Sequence, residues 1–289
     1  MITDLPKNRI LLSIIIPTFN AAHNLRELLP VIARQTFQQY EILILDNFST
    51  DGTPGIIKER QAGDTRIRYI SEQDKGIYHA MNNGIELAKG DWVYFMGSDD
   101  SFYDTNVLSV VASNFDKEYD IVYGNVMWVP DHIIEQGEWG YKELLGRNIN
   151  HQRIFYKRSL FQQYGAYDLR YKIAADHALN IRLFCNPEVK KKYIPSIVAA
   201  YHSGGFSAEK TDEVFWDNWT EAVYRPFSGV LPSREIYASL NSYYRYNLQK
   251  KKYRKAFTIF WKIFSHTRRP GFIWLALKQF FQSFKRHGR

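Results

Sequence analysis

The stretch WVYFMGSDD, residues 92–100, decides how this chain is read. Its first part, WVYFMG at 92–97, is apolar, rich in aromatic and β-branched side chains, and too short for a stable helix. It therefore reads as a buried strand. Two adjacent carboxylates, Asp99 and Asp100, stand just past its end. Acidic residues at such a place commonly form a turn or cap the next helix. The same pair also suits a hard divalent cation.

Working outward, short apolar runs alternate with helical spacing. LLSIII (11–16) stops at Pro17, and EILILD (41–46), IRYIS (67–71) and DIVYGNVMWV (120–129) read as further strands. Residues 22–35 place Leu25, Leu28, Leu29 and Ile32 on one face, with Pro30 expected to kink that helix or end it early. Helices are also expected near 53–61, 76–88, 104–117 and 175–184. Residues 130–150 read as loop-rich, IFYKRSLF (154–161) as an apolar strand, and 191–207 as a strand leading into a glycine turn. Alternation of this kind predicts an α/β doubly wound sheet, with its ligand crevice outside the carboxyl ends of the strands. Thr18 and Asn20 follow the first strand, Asp46 ends the second, and Asp99 and Asp100 follow the fourth. As loop residues each is ordinary. Together they line one rim.

Composition narrows the field. Hydrophobic residues make up 45% of the 289, enough for a sizeable core. Cys185 is the single cysteine, which excludes an internal disulfide and a cysteine-rich zinc site and fits a reducing cytoplasm. The LLSIII run is shorter than a secretory core, and no stretch approaches the roughly 20 apolar residues of a membrane span. No glycine-rich phosphate loop and no Gly-x-Ser-x-Gly appears. Charge is uneven. Residues 236–289 hold thirteen of the 38 Lys and Arg and no acid, which leaves 25 basic against 30 acidic residues elsewhere. A basic tail on a mildly acidic body points to an anionic partner.

Four segments occur in one order: SIIIPTFN (13–20), EILILDNFSTDGT (41–53), DKGIYHAMNNGIELAKGDWVYFMGSDD (74–100) and AADHALNIRL (174–183). They resemble the inverting family-2 glycosyltransferases of GT-A fold, and DKGIYHAMNNGIELAKGDW resembles the members that build bacterial surface polysaccharides, the colanic-acid and exopolysaccharide type. The resemblance covers residues 11–207. It implies a Rossmann-like, mostly parallel sheet flanked by helices, a nucleotide-sugar donor (UDP-linked in the first instance) and Mn2+ or Mg2+. The expected domains are a GT-A catalytic domain over 1–235, with a nucleotide-binding half at about 11–125 and an acceptor-side half at about 126–235, and a basic amphipathic helical tail over 236–289.

The resemblance also assigns residues. Uracil presents an N–H between two carbonyls, which a carboxylate or an amide can pair. The family often carries two acids after the second strand. Here Asp46 precedes Asn47, so the base contact is open between them, with a plain turn as the alternative for Asn47. Thr18 and Asn20 would line the nucleotide, while Ser49 and Asp51 read as cap and turn residues. In the Asp74–Lys75–Gly76 loop, Lys75 would offset phosphate charge and Asp74 would serve the nucleotide or cap the next helix. A solvated loop is the alternative.

Loss of a diphosphate builds negative charge that a hard cation stabilises. In the usual acid–any–acid form the first acid would stand at Gly97. Asp99 and Asp100 remain, one for metal and the other for ribose or a metal-bound water. An inverting transfer needs a base, and Asp176 takes that place, with a helix N-cap as its alternative. The Glu that often precedes it is Ala175 here. His151 and Gln152 are candidates for donor-sugar or acceptor contact, and His202 for metal or pyrophosphate.

In the tail, Phe257, Phe260, Trp261 and Phe264 recur at helical spacing, and Phe272, Leu275, Ala276, Phe280 and Phe284 repeat the theme beyond Arg268, Arg269, Pro270 and Gly271. Basic helices with aromatic faces suit anionic lipid headgroups, or pack their aromatic face on the protein. The expected function is metal-dependent transfer of a sugar to a saccharide or polyprenyl-diphosphate-linked acceptor, on the cytoplasmic face of the membrane. An inactive GT-A scaffold is the alternative. A nucleic-acid-binding tail is a lesser one, since no nucleic-acid module accompanies it.

Overall fold

The computed structural model describes residues 9–116, 118–202 and 212–267, with 271, 273, 274, 276–278 and 280. Strands and helices alternate as expected: β1 (Leu12–Thr18), α1 (Ala22–Ala33), β2 (Tyr40–Asp46), α2 (Thr53–Gly63), β3 (Ile67–Ser71), α3 (Ile77–Leu87) and β4 (Trp92–Phe95). These strands pair in parallel in the order β3-β2-β1-β4. Ile14, Ile15 and Ile16 of β1 and Ile42, Leu43 and Ile44 of β2 are fully buried. Helices cover both faces, which is why these strands read as continuous apolar runs and not as alternation.

The chain then adds β5 (Ser101–Phe102), α4 (Val107–Ala112), β6 (Ile121–Val129), β7 (Ile133–Glu135), α5 (Tyr141–Gly146), a 3-10 turn (His151–Arg153), β8 (Ile154–Lys157), α6 (Ser159–Tyr164), α7 (Ala175–Phe184) and β9 (Lys191–His202). The complete order is β3-β2-β1-β4-β8-β6-β9-β5, with β7 on β6. The long ladders are parallel: β1 pairs seven residues with β2, and β6 pairs eight with β9. Each antiparallel pair joins only two or three residues. Helical segments close the chain: α8 (Glu213–Asp217), a π turn (Thr220–Tyr224), α9 (Arg225–Ser228), α10 (Ser233–Gln249) and α11 (Tyr253–Thr267).

Several local expectations change. Pro30 does not end α1, which runs on to Ala33 because Leu28, Leu29 and Ile32 stay buried across it. The helix expected over 104–117 is confined to α4. The 130–150 stretch contains β7 and α5. IFYKRSLF divides into β8 and α6: β8 ends at Lys157, opposite Trp92 at the start of β4, with one further bond from the Arg158 amide to the Asp91 carbonyl at 2.8 Å before the helix begins. The glycine turn after His202 lies outside the described residues, as do Arg268, Arg269, Pro270, Phe272, Leu275 and Phe284.

The chain forms two compact units. One comprises residues 1–139 and 148–215; the other comprises 140–147 and 216–289. In the second, α11 buries Ala256, Ile259 and Ile263 and leaves Phe257 and Trp261 at 62% and 50% exposure.

Gly90 shows how tightly β1 is approached. A Cβ there would stand 2.6 Å from the Ser13 amide nitrogen and 2.7 Å from the Leu12 carbonyl carbon, both backbone atoms. Gly90→Ala is expected to lower the unfolding free energy by about 1–3 kcal/mol, measured by denaturant titration.

Candidate active site

The carboxyl ends of β1, β2 and β3 carry a closed hydrogen-bond network. Asp46 is buried and accepts the Ser49 amide at 3.2 Å, the Ser49 hydroxyl, the Tyr69 hydroxyl at 3.0 Å and the Ser71 hydroxyl at 3.2 Å. These donors occupy it as an organiser of the loop after β2. Asn47 is more open. Its amide nitrogen donates to the Thr18 carbonyl at 2.9 Å, and its Oδ1 accepts the Asp74 amide at 3.0 Å. Asn20, at φ 46°, donates its amide to Ser49 Oγ at 2.7 Å, and its Oδ1 accepts the Thr50 amide at 2.9 Å. Thr18 turns its hydroxyl back to the Ile16 carbonyl at 3.1 Å. Asp74 accepts the Gly76 amide at 2.7 Å, ahead of α3.

Asp51 behaves as the capping reading expects. It accepts the Thr53 amide at 2.9 Å and the Ala22 amide at 3.2 Å, so it serves the starts of α2 and α1 together. The Thr53 bonds hold its carboxyl below the usual range. Two residues on this rim escaped the sequence reading. Phe19 and Phe48 project with 61% and 57% exposure, one and two residues past the ends of β1 and β2.

The second cluster surrounds the turn after β4. The Asp100 amide donates to the Gly97 carbonyl at 3.2 Å, closing the turn. Asp99 is exposed, whereas Asp100 is buried at 5% exposure. Gln152 Nε2 donates to Asp100 Oδ2 at 2.6 Å, and the His202 amide donates to Oδ1 at 3.0 Å. Burial, then the Asp99 charge, push the Asp100 carboxyl up to about 7. Gly97 explains the missing acid. A Cβ at that position would lie 2.6 Å from Asp100 Oδ2 and 2.8 Å from Asp99 Oδ1. Both carboxylates fold over the glycine, into space that a side chain would need.

This pair fits a divalent cation. Two carboxylates converge over one glycine, and the buried one has only neutral donors as partners. Among the described residues no three His, Cys, Asp or Glu side chains are grouped so that they could hold a metal ion together. An ion held here therefore takes its remaining ligands from water and ligand oxygens, as Mg2+ sites on phosphates usually do.

The 3-10 turn links this cluster to Asp176. Gln152 is fully buried, and the Tyr94 hydroxyl donates to its carbonyl at 2.9 Å. The next residue, Arg153, is also fully buried. Its guanidinium donates to the Gly124 carbonyl at 2.6 Å, the Gly137 carbonyl at 2.9 Å and Glu135 at 3.2 Å, locking the turn to β6 and β7. His151 lies 3.3 Å from Gln152 Nε2, and its Nδ1 is 3.8 Å from Asp176 Oδ2. Burial lowers its imidazole below the ordinary value, against the pull of Asp176 and Asp99, and so disfavours the charged ring.

Asp176 sits in the first turn of α7, not at its N-cap, which is Ala174. Its Oδ1 accepts the Tyr78 hydroxyl at 3.0 Å, and its Oδ2 accepts Asn148 Nδ2 at 2.7 Å. Burial first and Asp176 second hold the Tyr78 phenol well above its ordinary value, so it remains a donor. Asn180 supports Asn148 at 3.2 Å and in turn accepts the Tyr156 hydroxyl at 2.6 Å. The start of α7 is capped from afar by buried Asp212, whose Oδ2 accepts the Ile173 and Ala174 amides at 2.9 and 3.2 Å. Sequence reading missed Tyr78, Asn148 and Asp212. Only Asn148-x-Asn150, just before His151, offered a local signal.

The structure thus joins Asp99, Asp100, His151, Gln152, the backbone of His202 and Asp176 into one cluster, and Thr18, Asn20, Asp46, Asn47 and Asp74 into another. Lys75 belongs to neither network among the described residues; it lines a cavity with Tyr78 and Lys172.

Comparison with known proteins bears on the family and the fold. A glycosyltransferase of PGL/p-HBAD biosynthesis from Mycobacterium tuberculosis is 41% identical over 209 residues, covering 70% of this chain and 81% of that protein. A GalNAc(5)-diNAcBac-PP-undecaprenol beta-1,3-glucosyltransferase from Campylobacter jejuni is 33% identical over 118 residues, covering 40% of this chain and 38% of that protein. Among solved structures, S. aureus TarS 1–349 in complex with UDP-GlcNAc superposes with a TM-score of 0.67 at 17% identity, over 94% of this chain and 79% of that one. The mannosyltransferase PcManGT from Pyrobaculum calidifontis, in complex with GDP-Man and Mn2+, gives 0.59 at 16% identity, over 94% and 85%. The fold is the expected GT-A type. Residues 13–171 match the profile described as glycosyl transferase family 2, and the chain belongs to that family.

Proposed function

We propose that this glycosyltransferase moves a sugar from a UDP-linked donor, with inversion and with the help of Mn2+ or Mg2+, to a lipid-linked saccharide in surface polysaccharide assembly. The observation that carries the reading is Asp176, oriented by Tyr78 and Asn148 and linked through His151 and Gln152 to the two carboxylates over Gly97. The relatives' names supply the context: one is a glycosyltransferase of PGL/p-HBAD biosynthesis and one a glucosyltransferase named for an undecaprenol-linked saccharide.

In this reading Asn47 takes the uracil edge, since the Asp46 carboxylate is occupied by its own loop. Thr18, Asn20 and Asp74 shape the nucleotide pocket. Asp99 and Asp100 hold the cation, which supplies charge neutralisation at the departing diphosphate. His202 holds Asp100 through its backbone and closes that end of the pocket. The acceptor hydroxyl gives its proton to Asp176 as its oxygen bonds the anomeric carbon. The bond from that carbon to the diphosphate breaks on the opposite face, and the electron pair leaves with the nucleoside diphosphate. Tyr78 and the His177 amide both donate to Asp176 Oδ1, and Asn148 takes one lone pair of Oδ2, which leaves the other Oδ2 lone pair for the incoming hydroxyl. Burial disfavours a positive charge on His151 beside it.

Membrane contact through residues 236–289 belongs to the same reading, at the cytoplasmic face. Among the described residues no helix is long and apolar enough to cross a membrane. Its support is the acid-free, basic composition of the segment and the exposed Phe257, Trp261 and Trp274.

Asp176→Asn is expected to lower transfer by about 10²–10⁴-fold while UDP binding persists, measured by product formation and calorimetry. Equal activity would remove Asp176 from the mechanism. A pH prediction follows from Asp100. Its folded value, about 7, stands above the unfolded one of 3.8, so folding favours the protonated form. Its contribution is greatest below pH 4 and is lost as pH rises to 7. In the metal-free protein that falling component of the melting temperature is expected in wild type and absent in Asp100→Ala. Mn2+ should raise the melting point more at pH 7.5 than at pH 5.

A further inference from the structure

A cavity of about 360 Å3 lies beside the proposed base. Lys75 and Lys172 stand on its walls with Tyr78, His79 and Tyr171, and no lining residue is acidic. It is separate from the two carboxylates that suit a cation, and its charge is opposite. A further feature marks it as a place for an anion. His79, on its wall, has a buried Nδ1 with no hydrogen-bond partner. The Gly76 amide at the start of α3 is taken by Asp74, so the lysines supply the positive charge.

Its position relates it to the reaction. Tyr78 forms part of the wall, and its hydroxyl is 3.0 Å from Asp176 Oδ1. One tyrosine side chain therefore spans from the cavity to the base.

We propose that this cavity binds an anionic group of the acceptor, a phosphate or a carboxylate carried close to the attacking hydroxyl. The inference rests on Asp176 as the base. It adds that the acceptor is a charged sugar and that Lys172 selects it. Lys75 then faces the acceptor, with the donor diphosphate left to the cation site. Charge-assisted contacts from two ammonium groups would distinguish such a sugar from its neutral analogue.

The test is calorimetric titration of the full chain, saturated with UDP so that the donor site is filled, with α-glucose 1-phosphate, glucuronate and methyl glucoside. Both charged sugars are expected to bind about tenfold or more tightly than methyl glucoside. The stronger of the two names the anion source. Lys172→Ala should erase most of that preference, and Lys172→Glu should reverse it. Equal binding of charged and neutral sugars overturns the proposal, as does a preference unchanged in both variants. A UDP titration of the wild type is read separately. Absence of UDP binding strikes the nucleotide-sugar reading, while the Lys172 dependence of anion binding still decides this one.

Discussion

A buried carboxylate without a cationic partner is the constraint around which this molecule is arranged. Asp100 joins three distant pieces of chain: the turn after β4, the 3-10 turn through Gln152, and the last residue of β9 through the His202 amide. Ionised carboxylates are costly to bury, and neutral donors offset only part of that cost. The rise of this group to about 7 expresses the remaining strain. A carboxylate left in this state is suited to a cation, and it is held rigidly without one. Rigidity here comes from sheet order, since β4, β8, β6 and β9 are consecutive neighbours and bring Asp100, Gln152 and His202 together.

Arg153 is the counterpart of opposite charge. It is equally buried, yet it is satisfied by two carbonyls and Glu135. The two residues differ by what surrounds them. One finishes its hydrogen bonding within the protein and fixes the shape; the other is left short of positive charge and can take part in binding. Gln152, next to Arg153 in the chain and hydrogen-bonded to Asp100, lets the structural one stiffen the other.

Much of this was legible in the sequence, and the limits have a common cause. The strands β1, β2 and β4 could be read because both faces are covered and their composition is uniformly apolar. The rim residues could be placed because strand ends in a parallel sheet face one way. The partners of Asp176 could not. Tyr78 is 98 positions away and Asn148 is 28, and both look like unremarkable polar positions until the chain folds. Asp212, which caps α7 from another segment, left no local trace, because helix capping rules concern adjacent residues. Asp46 shows the reverse. Its position was correctly foreseen, but Tyr69 and Ser71, one strand over, consume the valence that the sequence seemed to leave for a ligand. The division of IFYKRSLF into β8 and α6 falls opposite the start of a neighbouring strand, a place that composition does not encode.

Gly97 carries a consequence for how such sites diversify. The volume where its side chain would stand is already claimed by Asp99 and Asp100. A carboxylate cannot be restored there by one substitution without displacing one of the two that follow. Positions 97, 99 and 100 are therefore epistatic. A side chain gained at 97 would turn carboxylate ends aside and not meet backbone, so its cost would fall on the acid pair before it reached the fold.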